Sequence, residues 1–213
     1  EIFNQYYDLF VKYELTTFEM QTFIALTYFK NINVDVAIIE VGMGGFIDAT
    51  NIFTPSLSII SNIGLEHTSV LGRSLSEIAY NKAGIIKKEI PCLVGKIDES
   101  ALFAIKEYAK TLDAKVIMVN EYFNEKIIDS KIHFDYLPYK DIVLNTTAFY
   151  QCKNASLAIE ATRILENILP IDISKMYEGL LNNNLPARFE YISDHLLVDG
   201  AHNPDAIIEL VNS

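Results

Sequence analysis

Apolar positions along the chain follow two rhythms that take turns. Over residues 18–29 they recur at helical spacing, with Met20, Phe23, Ile24 and Tyr28 on one face, and Thr16 with Glu19 makes a capping box at the start. Residues 34–41 and 57–63 are instead near-continuous apolar runs, the pattern of strands buried on both faces of a parallel sheet. Ser74 and Glu77 predict a second capping box, opening a helix that stops near Gly84. A short strand over 91–95, an amphipathic helix over 99–112 and a strand over 115–119 continue the alternation. Strand and helix in turn imply an α/β fold whose mostly parallel sheet is covered on both faces.

Beyond residue 130 the pattern changes. Residues 131–136 and 140–144 flank Leu137-Pro138-Tyr139, which predicts an antiparallel hairpin, a small all-β insertion. Helices over 152–167 and 174–182 follow, and Asn182-Asn183-Asn184 with Pro186 is the best linker in the chain. Strands over 189–192 and 196–199 then lead to a helix beginning at Pro204, with Asn203 as N-cap. The expected division is therefore a domain over 1–184 and the start of a second over 185–213. There is no internal repeat and no low-complexity segment.

Composition narrows the classes. The 213 residues suffice for one domain, or one plus part of another, and half of them are hydrophobic. Lys and Arg number 17 against 28 Asp and Glu, a net charge of −11. That argues against a nucleic-acid or acidic-membrane partner, because no basic stripe exists to neutralise phosphates. A small anionic substrate stays compatible. Cys92 and Cys152 lie far apart without metal-ligand spacing, and Cys92 falls in an apolar strand, so no structural zinc site is expected. No apolar run nears the roughly 18 residues of a membrane span and no signal peptide is visible, so a monomer in a reducing cytoplasm is expected. The chain opens on Glu1 and closes in a predicted helix at Ser213, and both ends read as cut.

Four clusters could carry chemistry. In VDVAIIEVGMGGFIDATN (residues 34–51), Glu40 closes a predicted strand ahead of a turn through Gly42, Gly44 and Gly45, with Asp48 and Asn51 beyond. Ligands of open α/β sheets collect at the carboxyl ends of strands, where a carboxylate can bind Mg²⁺ beside phosphate. The plainer alternative is a core strand, a glycine turn and a solvated Glu. His67, in NIGLEHT just past the second strand, would lie on the same edge, or be a solvated or capping side chain. Lys82, in NKAGIIK, sits where a cation complements the end of a helix dipole. Asp199 and His202 belong to DGAHNP, a strand-to-helix turn that also serves Asn203 as a cap. Arg188, beside Pro186, reads on its own as a surface arginine.

In order, these segments match a family. EVGMGGFIDATN, IGLEHTSVLGRSLSEIAYNKAGIIK, PARFEY and LLVDGAHNP closely resemble folylpolyglutamate synthase and dihydrofolate synthase of the Mur ligase superfamily, from about Thr16 to the end. The resemblance implies a three-layer, P-loop-NTPase-like central domain with a β insertion, followed by the start of a Rossmann-like domain. It implies an ATP-dependent amide ligase, in which a folate carboxylate becomes an acyl phosphate and L-glutamate attacks it. On the family's pattern Glu40 is a Mg²⁺ ligand, His67 binds a second Mg²⁺, and Lys82 is carried as an anionic carbamate that supports metal binding. Asn154 matches a nucleotide-contacting asparagine and Arg188 the linker arginine that reaches ATP phosphates. Asp199 and His202 match residues that close over the nucleotide. Such a site works by positioning and charge neutralisation, as phosphoryl transfer requires.

The chain departs from the pattern in places. Phe46 stands where the family usually has arginine, and Tyr150 replaces a frequent histidine. No G-x-x-x-x-G-K-[ST] occurs. The chain is thus expected to be a piece of the ligase without the phosphate loop, and inactive in isolation. The rivals are a Mur-type ligase of cell-wall synthesis, against which IGLEHTSVLG and DGAHNP argue, and a non-catalytic remnant. A methyltransferase using the glycine loop leaves Lys82 and the Asp199 turn without a role.

Overall fold

The computed structural model describes residues 1–213. Two helices open the chain: α1 (Ile2–Lys12), ahead of the first predicted element, and α2 (Thr17–Ile32). They meet through aromatic edges, Phe10 on Phe23 and Tyr6 on Phe23. The predicted Thr16–Glu19 capping box forms in full: Thr16 Oγ1 accepts from Glu19 N, and the Glu19 carboxylate accepts from Thr16 N.

The strand expected over 34–41 does not form. Those residues pair with no other strand, and Ile38 is 92% exposed. An apolar run is not sufficient for a strand, which exists only where a neighbour supplies ladder hydrogen bonds. The sheet begins instead at β1 (Ser58–Ile60), whose only neighbour is β2 (Cys92–Val94). The third strand, β3 (Val116–Met118), completes a parallel sheet in the order β1-β2-β3.

Helices α3 (Leu75–Ala83) and α4 (Glu99–Thr111) cover one face. Ile78, Ala79 and Ala83 pack with Ala101, Ile105 and Ala109, and with Cys92 and Val94 of the sheet. Alanines at this spacing let the helix backbones approach closely. The capping box at α3 is only half made. Ser74 accepts from Glu77 N, but Glu77 accepts from Arg73 N at 2.6 Å rather than from Ser74.

The insertion is a three-stranded antiparallel sheet of β4 (Phe123–Ile128), β5 (Lys131–Tyr136) and β6 (Tyr139–Leu144). Ile132, Phe134, Tyr136, Ile142 and Leu144 form its buried side, against Cys152, Ala155 and Ile159 of α5 (Tyr150–Ile164). Helix α6 (Ile173–Leu181) closes the edge through Met176, Tyr177 and Leu180. A buried polar chain crosses this core: Tyr136 donates to Glu160, which also holds Arg163, both at 2.8 Å. After the linker, β7 (Glu190–Ser193) and β8 (Leu196–Val198) pair antiparallel and lead into α7 (Pro204–Val211).

Candidate active site

The glycine loop is built for close packing. An added Cβ on Gly45 would lie 2.6 Å from the Asn81 carbonyl oxygen and 2.7 Å from that of Lys82. Gly44 has φ +75 and is buried beside Asn81, whose side-chain oxygen is buried without a partner. Gly84 in turn faces the Phe46 backbone, 2.5 Å from its added Cβ. The glycines thus seat the 42–51 loop on the carboxyl end of α3, where the sequence suggested an approach to a ligand. Asn51 fastens the seam by donating to the Gly84 carbonyl at 3.0 Å, and Lys87 donates to the Asn51 carbonyl at 3.3 Å. Phe46, the departure from arginine, joins Tyr80 and Tyr108 in a cluster with centroids 5.2 to 5.6 Å apart.

Asp48 organises the loop from inside, accepting from Met43 N and Thr50 N at 2.9 Å and from Thr50 Oγ1 at 2.6 Å. Burial alone would raise its pKa, but these bonds and one from Gly42 N outweigh it and hold the carboxyl below 3.8.

Two hubs lie beyond the loop. At the first, Lys82 Nζ sits 2.8 Å from Glu66 Oε1. The other oxygen of Glu66 accepts from Asn203 Nδ2 at 3.3 Å, across 137 residues of sequence. Burial would raise the Glu66 pKa, yet the hydrogen bond and charge of Lys82, with the charges of His67 and His202, bring it below 4.5. Gly64 faces the carboxylate of Asp205 on α7, which a side chain at 64 would have to displace. At the second hub, Asp199 accepts from Tyr150 Oη at 2.7 Å and from Phe189 N and Ala201 N at 2.8 Å. The Arg188 guanidinium covers Gly200 and, with those bonds, lowers the Asp199 pKa against the effect of burial. Burial, then Asp199, pushes Tyr150 up to about 12, so Tyr150 remains a donor at neutral pH.

The remaining residues sit around these hubs. His202 Nδ1 donates to the Gly200 carbonyl at 2.8 Å, because a carbonyl can only accept, which leaves Nε2 free. His67 is exposed with φ +48, and its carbonyl holds the amides of Val70 and Leu71. Asn154 is exposed on α5 and donates to Gln151 at 3.0 Å. Glu40 is exposed, with no side-chain bond of its own, and no three His, Cys, Asp or Glu residues are grouped to hold a metal ion. The structure therefore brings Lys82, His67 and His202 around Glu66, and Arg188 with Asp199 around Gly200. The Glu40 side chain joins neither set, although its loop rests on the backbone of Lys82. The sequence reading passed over Glu66. The signal was there: a carboxylate at the carboxyl end of an apolar strand, the same argument that singled out Glu40.

A parallel three-stranded sheet, two packed helices, a β insertion and a docked strand–turn–helix give the α/β fold seen in Mur-type ligases. More particularly, the chain is homologous to folylpolyglutamate and dihydrofolate synthases over 92–94% of its length. It is 32% identical to a folylpolyglutamate synthase of Lacticaseibacillus casei over 94% of the chain and 50% of that protein. It is 34% identical to a dihydrofolate synthase/folylpolyglutamate synthase of Bacillus subtilis over 93% of the chain and 49% of that protein. A solved structure of an L. casei folylpolyglutamate synthase in its apo form superposes with a TM-score of 0.86 at 30% identity, over 96% of the chain and 53% of that structure. A structure described as an FPGS–AMPPCP–folate complex superposes with a TM-score of 0.88 at 31% identity, over 96% and 53%. No family model matches the chain. The chain spans about half the length of the curated relatives it matches. No helix is long and apolar enough to cross a membrane.

Proposed function

We propose that this chain supplies the central part of an ATP-dependent ligase that joins L-glutamate to a folate through an acyl phosphate. The observation that carries the reading is the contact chain from the glycine loop through Lys82 and Glu66 to Asn203. It gathers segments from three parts of the sequence along the sheet edge where α/β proteins bind ligands. A relative whose structure is described as a complex with an ATP analogue and folate supports the substrate class.

In this reading residues 1–184 are the nucleotide-handling domain and 185–213 begin the domain that closes on it. Arg188, His202 and Asn154 face the nucleotide. Arg188 suits phosphate oxygens because its donors form a planar fork, and His202 presents Nε2 once Nδ1 is committed to Gly200. Asp199 has both oxygens occupied by protein donors, so it shapes the turn that carries Arg188 and His202.

Glu40 and His67 would hold Mg²⁺. An exposed carboxylate without a partner is the hard oxygen donor Mg²⁺ takes, and one carboxylate with phosphate and water suffices. Bound there, the ion would neutralise charge on the transferring phosphate. Lys82 as an ammonium pairs with Glu66. As the carbamate the family carries, it would set like charge against Glu66, and a cation between them would relieve the repulsion.

The test is ATP hydrolysis dependent on folate and glutamate by the complete protein that contains this chain, with UDP-linked muramyl substrates as the comparison. Folate dependence supports the reading, and a preference for the muramyl substrates overturns it. In that protein Lys82→Ala removes most turnover. His202→Ala lowers turnover about tenfold or more, as losing a positioned charge-assisted donor does. Its melting temperature barely changes, because Asn203 and not His202 caps α7.

A further inference from the structure

Glu66 is a carboxylate whose two oxygens reach both sides of the 184/185 division. Its Oε1 takes Lys82 of α3 at 2.8 Å, and its Oε2 takes Asn203, the residue that starts α7, at 3.3 Å. Asn203 has two tasks. Its side-chain oxygen caps α7 by accepting from Ala206 N at 2.8 Å, and its side-chain nitrogen reaches Glu66. The seam is close-packed on either side. Gly64, two residues before Glu66, abuts Asp205 of the first turn of α7. Farther along the helix, Lys153 of α5 pairs with Glu209 at 2.5 Å. Both Lys82 and Glu66 are about three-quarters buried, so the pair is sheltered from solvent without being sealed.

We propose that Glu66 is a positioning residue that couples Lys82 to the seating of α7. The Lys82 cation fixes one carboxylate oxygen, and the other is thereby aimed at Asn203. A change at Lys82 loosens the helix, and a loosened helix frees Lys82. Linkage makes this reciprocal, since each end must alter the other by the same factor. The inference goes beyond the ligase reading and does not rest on it, because it concerns how residues 199–211 are held and not what is ligated. If that reading is correct, the same bridge reports the state of a site lysine to the closing domain.

The experiment needs neither nucleotide nor folate, so its failure is distinct from failure of the ligase reading. Hydrogen exchange is followed at the α7 amides of this chain, and acetylation of Lys82 by acetic anhydride is followed by mass spectrometry. Glu66→Gln keeps the shape and removes the charge. Asn203→Ser keeps a good N-cap but cannot reach Glu66. Each should speed α7 exchange about three- to tenfold, the range for one net hydrogen bond, with Lys153–Glu209 retaining the helix. The double variant should be no faster than the faster single one. Lys82→Met should speed α7 exchange from a distance, and Lys82→Arg, which keeps the cation, should restore it. In the other direction, Asn203→Ser should raise Lys82 acetylation by a similar factor. Unchanged α7 exchange in Lys82→Met, or additive effects in the double variant, overturns the coupling. Should Glu66→Gln fail to fold, Asn203→Ser with Lys82→Met decides it alone.

Discussion

Asp48 and Glu40 lie eight positions apart in one loop, and the structure treats them oppositely. Asp48 is enclosed by three amides and a hydroxyl, while Glu40 faces solvent unbonded. One carboxylate builds the loop and the other is available to a ligand. A folded-state pKa held below the unfolded value gives stability that is present above that value and lost as pH falls through the folded one. Asp48 should therefore contribute at neutral pH and lose its contribution only under acid. Asp48→Asn turns an amide NH₂ toward N–H donors. The expected cost is about 1–3 kcal/mol at pH 7, with less of the loss visible in acid, where the native chain has itself given up the interaction. Urea unfolding at pH 7 and at pH 3 checks both parts, and an equal loss at the two pH values would remove the charge from the account.

At the scale of elements, identical substitutions should have opposite signs. Gly45→Ala drives a methyl into the carbonyls of Asn81 and Lys82 at 2.6 and 2.7 Å, where only backbone movement gives relief. Its melting temperature should fall sharply, by the equivalent of about 2 kcal/mol or more. Gly179 lies inside α6 with nothing within 4 Å of an added Cβ. Gly179→Ala should stabilise by about 0.5–1 kcal/mol through helix propensity alone. Calorimetry of the two variants side by side makes the comparison. Local signals of this kind were the legible part of the sequence. The cap at Thr16, the cap at Asn203 with Pro204 behind it, and the hairpin around Leu137-Pro138 each depend on neighbours in the chain. What escaped depends on distant partners. The 34–41 run has the composition of a buried strand and no ladder to join, and β4 is a polar, mostly exposed edge that shows no alternation. Motifs named site candidates such as Lys82 and His202, and the structure brings both near Glu66. Glu66 carried a sequence signal of position alone, and its role rests on Lys82 and Asn203, which only the fold brings to its two oxygens.

Across the whole molecule, the 199–203 turn is clasped from two directions, by Glu66 from the end of β1 and by Tyr150 from the start of α5. The second clasp gives Tyr150 a structural task, since its hydroxyl is the α5 donor to Asp199. Tyr150→Phe keeps the ring and deletes that donor. Asp199 would retain Phe189 N and Ala201 N, so the turn itself should persist while its tie to α5 is lost. The expected result is an unchanged helical signal and about three- to tenfold faster thermolysin cleavage near Leu185 in the exposed linker, the increase that follows loss of one net hydrogen bond when cleavage tracks local opening. Tyr150→His should recover most of the resistance, because imidazole can again donate to the carboxylate. If phenylalanine proves as resistant as tyrosine, the seating of the last 29 residues depends on the Glu66 side and on Lys153–Glu209. If histidine fails where tyrosine succeeds, reach and not donor chemistry sets the clasp.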